Sequence, residues 1–359
     1  MARRREPARE PDDLSVHDLI EGPTEILSRE TLDAIRRPQA DSADLSVERT
    51  HDLTASAAEV TTDLGGDGPA GGDGPAGAGG RTRVELPRMP APGALYRRAA
   101  LGALPGLGGR RGADLPAVEF TVAGVRIDRA HLADYDRVCG FRLTDRLPAT
   151  FPHVLGFPLT LRLMTAPGFP IPLTGVVHVG NRITTRRPIT ADETLDFTTY
   201  AENLRPHDRG RQVDVVLVGS VDGEEVWRGV STYLGRERKA GAGRDRGERP
   251  AAPAATARWR VEPRVGTEYA RVSGDHNPIH TSRLGARLFG FHRPIAHGMW
   301  SKARCLAALE TRLPDAYTVE VAFKLPVPLP STVDFALLPD GAFALHDSRG
   351  RPHLAGLVR

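Results

Sequence analysis

The chain has 359 residues, 40% of them hydrophobic, and a net charge of +3, enough length and apolar content for two domains of ordinary size. Arginines and acids are interspersed, with no clustered basic stripe, aromatic platform or recognition motif, which excludes the usual footprint of nucleic-acid binding. Cys139 and Cys305 are far apart and form no CxxC. The basic N-terminus leads into no apolar core, and no run of about 18 apolar residues occurs, so a soluble, cytoplasmic, non-membrane protein is expected.

Residues 1–92 read as a disordered extension. The first 95 residues contain no Phe, Trp or Tyr, and GGDGPA occurs twice in tandem, so little apolar surface is available to offset the entropy of ordering. Within it, LSVHDLIEGPTEILSRETLDAIRR has apolar residues suited to a transient helix, and this tail is where a partner could dock. Order is expected to begin near Ala91, with GALYRRAALGALPGL as a short helix stopped by Gly and Pro. A charged, Gly/Pro/Ala-rich stretch marks a linker at 237–254, leaving ordered units at 93–236 and 255–359.

The two units resemble each other. YDRVCGF (135–141) pairs with YARVSGD (269–275), RRPITADETLDFTTYA (186–201) with KLPVPLPSTVDFALL (324–338), and VLVGSVDGEEVWRGVSTYLGR (216–236) with FALHDSRGRPHLAGLVR (343–359). Three matches in the same order point to duplication of one unit. VDG and DSRG are hairpin signals between β-rich runs, so antiparallel strands dominate the second part of each unit. GMWSKARCLAALETRLPD (298–315) reads as a helix apolar on more than one face, stopped by Pro314. An α+β architecture follows, one buried helix gripped by an antiparallel sheet, made twice.

The chemistry concentrates in SGDHNPIH (273–280). As a metal loop it would use His276 and His280 on one helix face, but Pro278 between them disfavours a regular helix, and neither an HExxH glutamate nor a nearby cysteine is present. As a plain Asx turn it is ordinary. The enzymatic reading has Asn277-Pro278 reverse the chain so that Asp275 and His280 converge on one water. His297-Gly298 opens the apolar helix, whose first N–H groups lack internal partners, so Gly298 offers an oxyanion hole to a thioester carbonyl. Ser273 is taken to bond the loop backbone, and His276 and His292 to be exposed. Arg283, Arg287 and Arg293 are candidates for a phosphate or carrier-protein contact.

The block YARVSGDHNPIHTSRLGARLFGFHRPIAHGM resembles the signature of the MaoC-like, (R)-specific enoyl-thioester hydratase/dehydratase family. The resemblance extends over about 93–359, and a motif present only in the second unit is similar to the double-hotdog members. It implies a tandem hotdog fold, with Asp275 and His280 as the catalytic pair, Asn277 and Gly298 as positioning and oxyanion groups, and Ser273, Gly274, Phe291, His297 and Met299 around the substrate. The implied reaction is reversible hydration of trans-2-enoyl thioesters to (R)-3-hydroxyacyl thioesters, with acyl-CoA or acyl-carrier-protein substrates and no metal or other cofactor. In the first unit Phe141, Leu143 and Arg146 stand where Asp275, Asn277 and His280 do, so that unit has lost the proton-transfer groups. Its LGFPLTLRLM either lines an acyl-chain pocket or is plain core, and His153 reads as structural. A hotdog thioesterase and a non-catalytic acyl-thioester-binding or scaffold subunit are the alternatives. A monomeric pseudo-dimer and a homodimer are both compatible with a duplicated unit.

Overall fold

The protein is described by a computed structural model over residues 80–96, 112–173, 175–236 and 252–359. The first half supplies β1 (Thr82–Glu85), β2 (Val118–Arg126), α1 (Arg129–Cys139), α2 (Phe151–Met164), β3 (Val176–Thr185), β4 (Thr194–His207), β5 (Gly210–Val221) and β6 (Glu224–Arg236). The second half supplies β7 (Ala257–Val261), α3 (Val265–Ser273), α4 (Pro278–Thr281), α5 (Arg283–Leu288), α6 (Gly298–Leu309), β8 (Tyr317–Phe323), β9 (Ser331–Leu337), β10 (Ala342–Asp347) and β11 (Pro352–Val358).

Among the described residues these strands make one sheet in the order β1-β2-β4-β5-β6-β3-β8-β11-β10-β9-β7. Outward from the β3–β8 seam, β6, β5, β4 and β2 mirror β11, β10, β9 and β7, so the sequence duplication becomes a spatial one. Gly180 pairs with Ala322 and Thr185 with Tyr317 across the seam, which makes the two hotdog units one continuous sheet. The expected hairpins are present: β5 turns into β6 at Asp222-Gly223, both at positive φ, and β10 into β11 at DSRG.

The two long apolar helices lie in the concavity. α2 is buried around most of its circumference, as its sequence requires. α6 buries Met299, Trp300, Ala303, Cys305, Leu306 and Leu309. Lys302, also on α6, is fully buried beneath the seam. Its Nζ donates to Asn181 Oδ1 at 2.6 Å, Asn181 O at 3.2 Å and Val319 O at 3.1 Å. Burial holds that amine well below the usual lysine range, while three acceptors satisfy its three donors.

Two expectations about boundaries need correction. Residues 80–92 were expected to belong to the disordered extension, yet β1 pairs in parallel with β2, and Arg83 meets Glu119 at 3.0 Å. Four residues next to low-complexity sequence carry too little alternation to be read as a strand. The helix expected over 298–315 ends at Leu309, and a 3₁₀ turn at Glu310–Arg312 takes over before Pro314. The repeated YxRVxG reads as no element from sequence but is the last turn of α1 and α3, closed by Gly140 (φ 85°) and Gly274 (φ 72°) in the left-handed conformation. Residues 1–79, most of the GALYRRAALGALPGL segment and linker residues 237–251 lie outside the described residues.

Candidate active site

Local hydrogen bonds shape the SGDHNPIH loop one residue at a time. After Gly274 closes α3, the Asp275 N–H donates to Ser273 Oγ at 3.2 Å, and the Asn277 N–H to Asp275 Oδ1 at 3.2 Å. Asn277 then caps α4, its Oδ1 accepting the Ile279 N–H at 3.3 Å. Pro278, expected to oppose a helix, begins one: it occupies the first position of α4, where its missing N–H would have no partner anyway. His280 thus sits on a short helical turn. Gly266 on α3 lies against it so closely that a Cβ there would stand 2.1 Å from the His280 carbonyl oxygen.

The protonation of both imidazoles follows from their partners. His280 Nδ1 lies 2.7 Å from the Ile295 carbonyl and must be the N–H that donates to it, so Nε2 carries a lone pair. His297 Nε2 likewise donates to the Asp275 carbonyl at 3.0 Å. Burial pushes both imidazoles below the ordinary value, His297 to about 3, so both are neutral near pH 7. For Asp275, burial pushes the carboxyl up. His297, His280, the Tyr96 hydroxyl and the Asn277 N–H together outweigh it and hold the group below the usual carboxylate range.

One ligand-type atom from each of Asp275, His280 and His297 lies within 4.8 Å of the others. A carboxylate and an imidazole lone pair at that separation suit one bridging water. The two imidazoles stack with ring centroids 3.7 Å apart and planes 26° apart.

These groups open on a cavity of about 650 Å³ that spans both halves of the molecule. Ser273, Asp275, Asn277, His280, Phe291, His297, Gly298 and Met299 all line it. Gly274 is not among the lining residues; its left-handed backbone closes α3. Gly298 is the first residue of α6, with His297 as an extended N-cap that offers no side-chain bond, so the positive end of the helix faces the cavity. The first half contributes Val154, Phe157, Leu161 and Met164 from α2. They share one helix face, so LGFPLTLRLM is cavity lining as well as core. His153 also lines the cavity and is held neutral by burial, at about 4.

The degenerate copy of the motif has no such setting. Phe141 is buried and stacks on Tyr135 at 6.3 Å, Leu143 is 66% exposed, and Arg146 pairs with Asp315 at 2.7 Å. His276 and His292 are exposed, as are Arg283, Arg287 and Arg293. Tyr96 is one contributor that escaped the sequence reading. Tyr96, from the helical turn at 92–96, donates its hydroxyl to Asp275 Oδ1 at 2.5 Å. Separated from Asp275 by 179 positions, it belongs to no motif that could have announced it.

Residues 246–344 match the MaoC like domain. The chain is 40% identical over 269 residues to the 3-hydroxyacyl-thioester dehydratase X of Mycobacterium tuberculosis, covering 73% of this chain and 95% of that one. It is 31% identical over 135 residues to 3-hydroxyacyl-thioester dehydratase Y of the same organism, covering 34% of this chain and 46% of that one. A crystal structure of HtdX from M. tuberculosis superposes with a TM-score of 0.61 at 40% identity, covering 67% of this chain and 98% of that one. A MaoC-like dehydratase from Phytophthora capsici, 19% identical with a TM-score of 0.54, covers 67% and 94% and shares the fold.

Proposed function

The chain belongs to the MaoC-like hydratase/dehydratase family, and from that premise we propose that it interconverts trans-2-enoyl and (R)-3-hydroxyacyl thioesters. The observation that carries this reading is the pairing of an ionised Asp275 with the free Nε2 of a neutral His280 at the floor of an apolar cavity. Two acceptors hold the two hydrogens of one water, leaving an oxygen lone pair for C3 of the substrate. As the C3–O bond forms, one acceptor takes a water proton and the C2=C3 electrons move toward the thioester oxygen. The Gly298 N–H and the α6 dipole stabilise that developing enolate, an effect of about 3 kcal/mol per donor in comparable sites. The proton is then delivered to C2. Dehydration runs the same steps backwards. CoA and carrier-protein thioesters both present the reacting atoms this way.

The acyl chain lies along α2. Met164 is ten positions beyond Val154, a run of about 15 Å at 1.5 Å per residue. Met164→Trp is therefore expected to lower the ratio of long-chain to short-chain kcat/KM by about tenfold or more, the scale at which apolar pockets discriminate. An equal effect on all chain lengths would place the chain elsewhere.

The protonation states also set a pH dependence. Hydration needs neutral His280, and its value is depressed, so the neutral form persists below the ordinary imidazole value of about 6.5. A pH–rate profile is expected to keep kcat/KM level through that value, with its acid limb lying lower. Loss of activity centred near it would contradict the buried, neutral assignment.

The test of the reaction is a hydration assay across enoyl-CoA chain lengths, following loss of the enoyl-thioester absorbance with chiral analysis of the product. Release of free thiol without hydration would identify a thioesterase instead. No turnover of any kind would leave the acyl-binding or scaffold role.

A further inference from the structure

The Tyr96–Asp275 hydrogen bond is delivered from outside the motif and outside the 246–344 family match. The segment that carries it is anchored. β1 pairs with β2, the Leu86 N–H donates to Thr121 O at 2.8 Å, and Leu86 and Met89 pack against the main core. Pro92 then seats against the loop at Gly274, 3.4 Å from where a Cβ would project. Tyr96 and Gly93 both line the catalytic cavity. The hydroxyl is therefore held at the carboxylate by strand pairing and packing, not by a chance surface contact.

The electrostatics around Asp275 give this bond a specific task. Among the described residues, the titratable groups that face the carboxylate are Tyr96, Tyr269 on α3, His280 on α4, His297 at the start of α6, Tyr233 on β6, His178 on β3 and His153 on α2, with exposed His276 adjacent. Burial raises the three phenols and lowers the four imidazoles, so all seven are uncharged near neutral pH. Beside the His297 and His280 imidazoles, hydrogen bonds support the negative charge. The His297 ring nitrogen is 3.8 Å from Oδ2, too far for one. The Asn277 N–H reaches Oδ1 at 3.2 Å and the Tyr96 O–H at 2.5 Å, the shorter being the charge-assisted kind.

We infer that Tyr96 is a positioning residue for the hydration reaction: its hydroxyl pins Oδ1 of Asp275 and leaves Oδ2 to hold the attacking water. This rests on the hydratase reading, since it assigns Asp275 the water. Tyr96 acts through Asp275 and forms no bond with the substrate in this role.

Tyr96→Phe removes the O–H and keeps the ring, so packing is preserved. Three measurements are made on the full chain: steady-state kinetics on crotonyl-CoA over pH, thermal unfolding, and the Asp275 titration by carboxyl carbon-13 NMR, assigned with Asp275→Asn. The expected result is kcat about tenfold lower with KM within about twofold. The Asp275 titration should move to higher pH by about one unit, because losing a donor to the charged form raises a carboxyl pKa. The melting temperature should not change. Four results would overturn the assignment: unchanged kcat and titration, a lower melting temperature with an unmoved titration (a packing role), a KM effect alone (a substrate contact), or an unmoved titration in a protein with no hydratase activity. In that last protein, a shifted titration would sustain the Tyr96–Asp275 coupling while the hydratase reading failed.

Discussion

Asp275→Asn is expected to reduce hydration of crotonyl-CoA by about 10³-fold or more while the protein stays folded. General acid–base groups contribute on the order of 10²–10⁴-fold, and here one carboxylate both orients the water and serves as its proton acceptor. Asparagine keeps the shape and one acceptor oxygen but loses the charge. Because the fold holds the Asp275 carboxyl below the ordinary range, the ionised group is net favoured in the folded state, so the thermal midpoint should hold or fall slightly. His280→Ala removes the other acceptor and should cost a comparable factor, and the double variant should be little worse than either single one, because the two groups act as a unit. Steady-state kinetics beside circular dichroism and a melting curve check all three. Additive losses would mean that the residues act on separate steps.

Gly266→Ala has the second large expected effect, and it arises without touching the substrate. Alanine is intrinsically the better helix residue by about 1 kcal/mol, so propensity alone favours the change. The structure forbids it. The added Cβ would stand 2.1 Å from the His280 carbonyl oxygen and 3.1 Å from its carbonyl carbon, so a backbone, not a yielding side-chain tip, must move. α4 carries that carbonyl and the catalytic imidazole together, and displacement of either breaks the 2.7 Å bond to Ile295 that sets the tautomer. A loss of about 10²-fold in kcat is expected, the scale of a 1 Å misplacement of a catalytic group, with destabilisation of about 1–3 kcal/mol from overpacking. Kinetics and urea unfolding measure the two. Wild-type kcat in this variant would show that α3 and α4 are not rigidly apposed.

The residues that sequence made legible are those whose chemistry is local. Asp275, Asn277 and His280 lie within six positions, and Asn-Pro has a short-range conformational meaning, so their convergence could be argued before any coordinates. The duplication was legible because matched segments keep their order, and in space β4–β6 and β9–β11 occupy corresponding places in the sheet. Long-range pairing was not legible. Nothing in VVHVGNRITT or YTVEVAF announces that β3 and β8 join the units edge to edge, or that Lys302 must find Asn181 and Val319 there. Tyr96 belongs to the same class: its partner is defined by how β1 and the turn at 92–96 drape over the site. Pro278 illustrates a different limit. Its rule against helix interiors was applied where its rule for helix starts governs, and only the capping geometry of Asn277 separates the two.

The central claim is that one centre, built from the second unit and completed by the cavity of both, adds water to an enoyl thioester. The most direct measurement is single-site turnover of a trans-2-enoyl thioester in isotopically labelled water, with chiral and mass analysis of the product for wild type and Asp275→Asn. An (R)-3-hydroxyacyl thioester carrying the labelled oxygen at C3 is expected from the wild type, and none from the variant. Label recovered in a free carboxylic acid, or full labelling at C3 with Asp275 replaced, would contradict that.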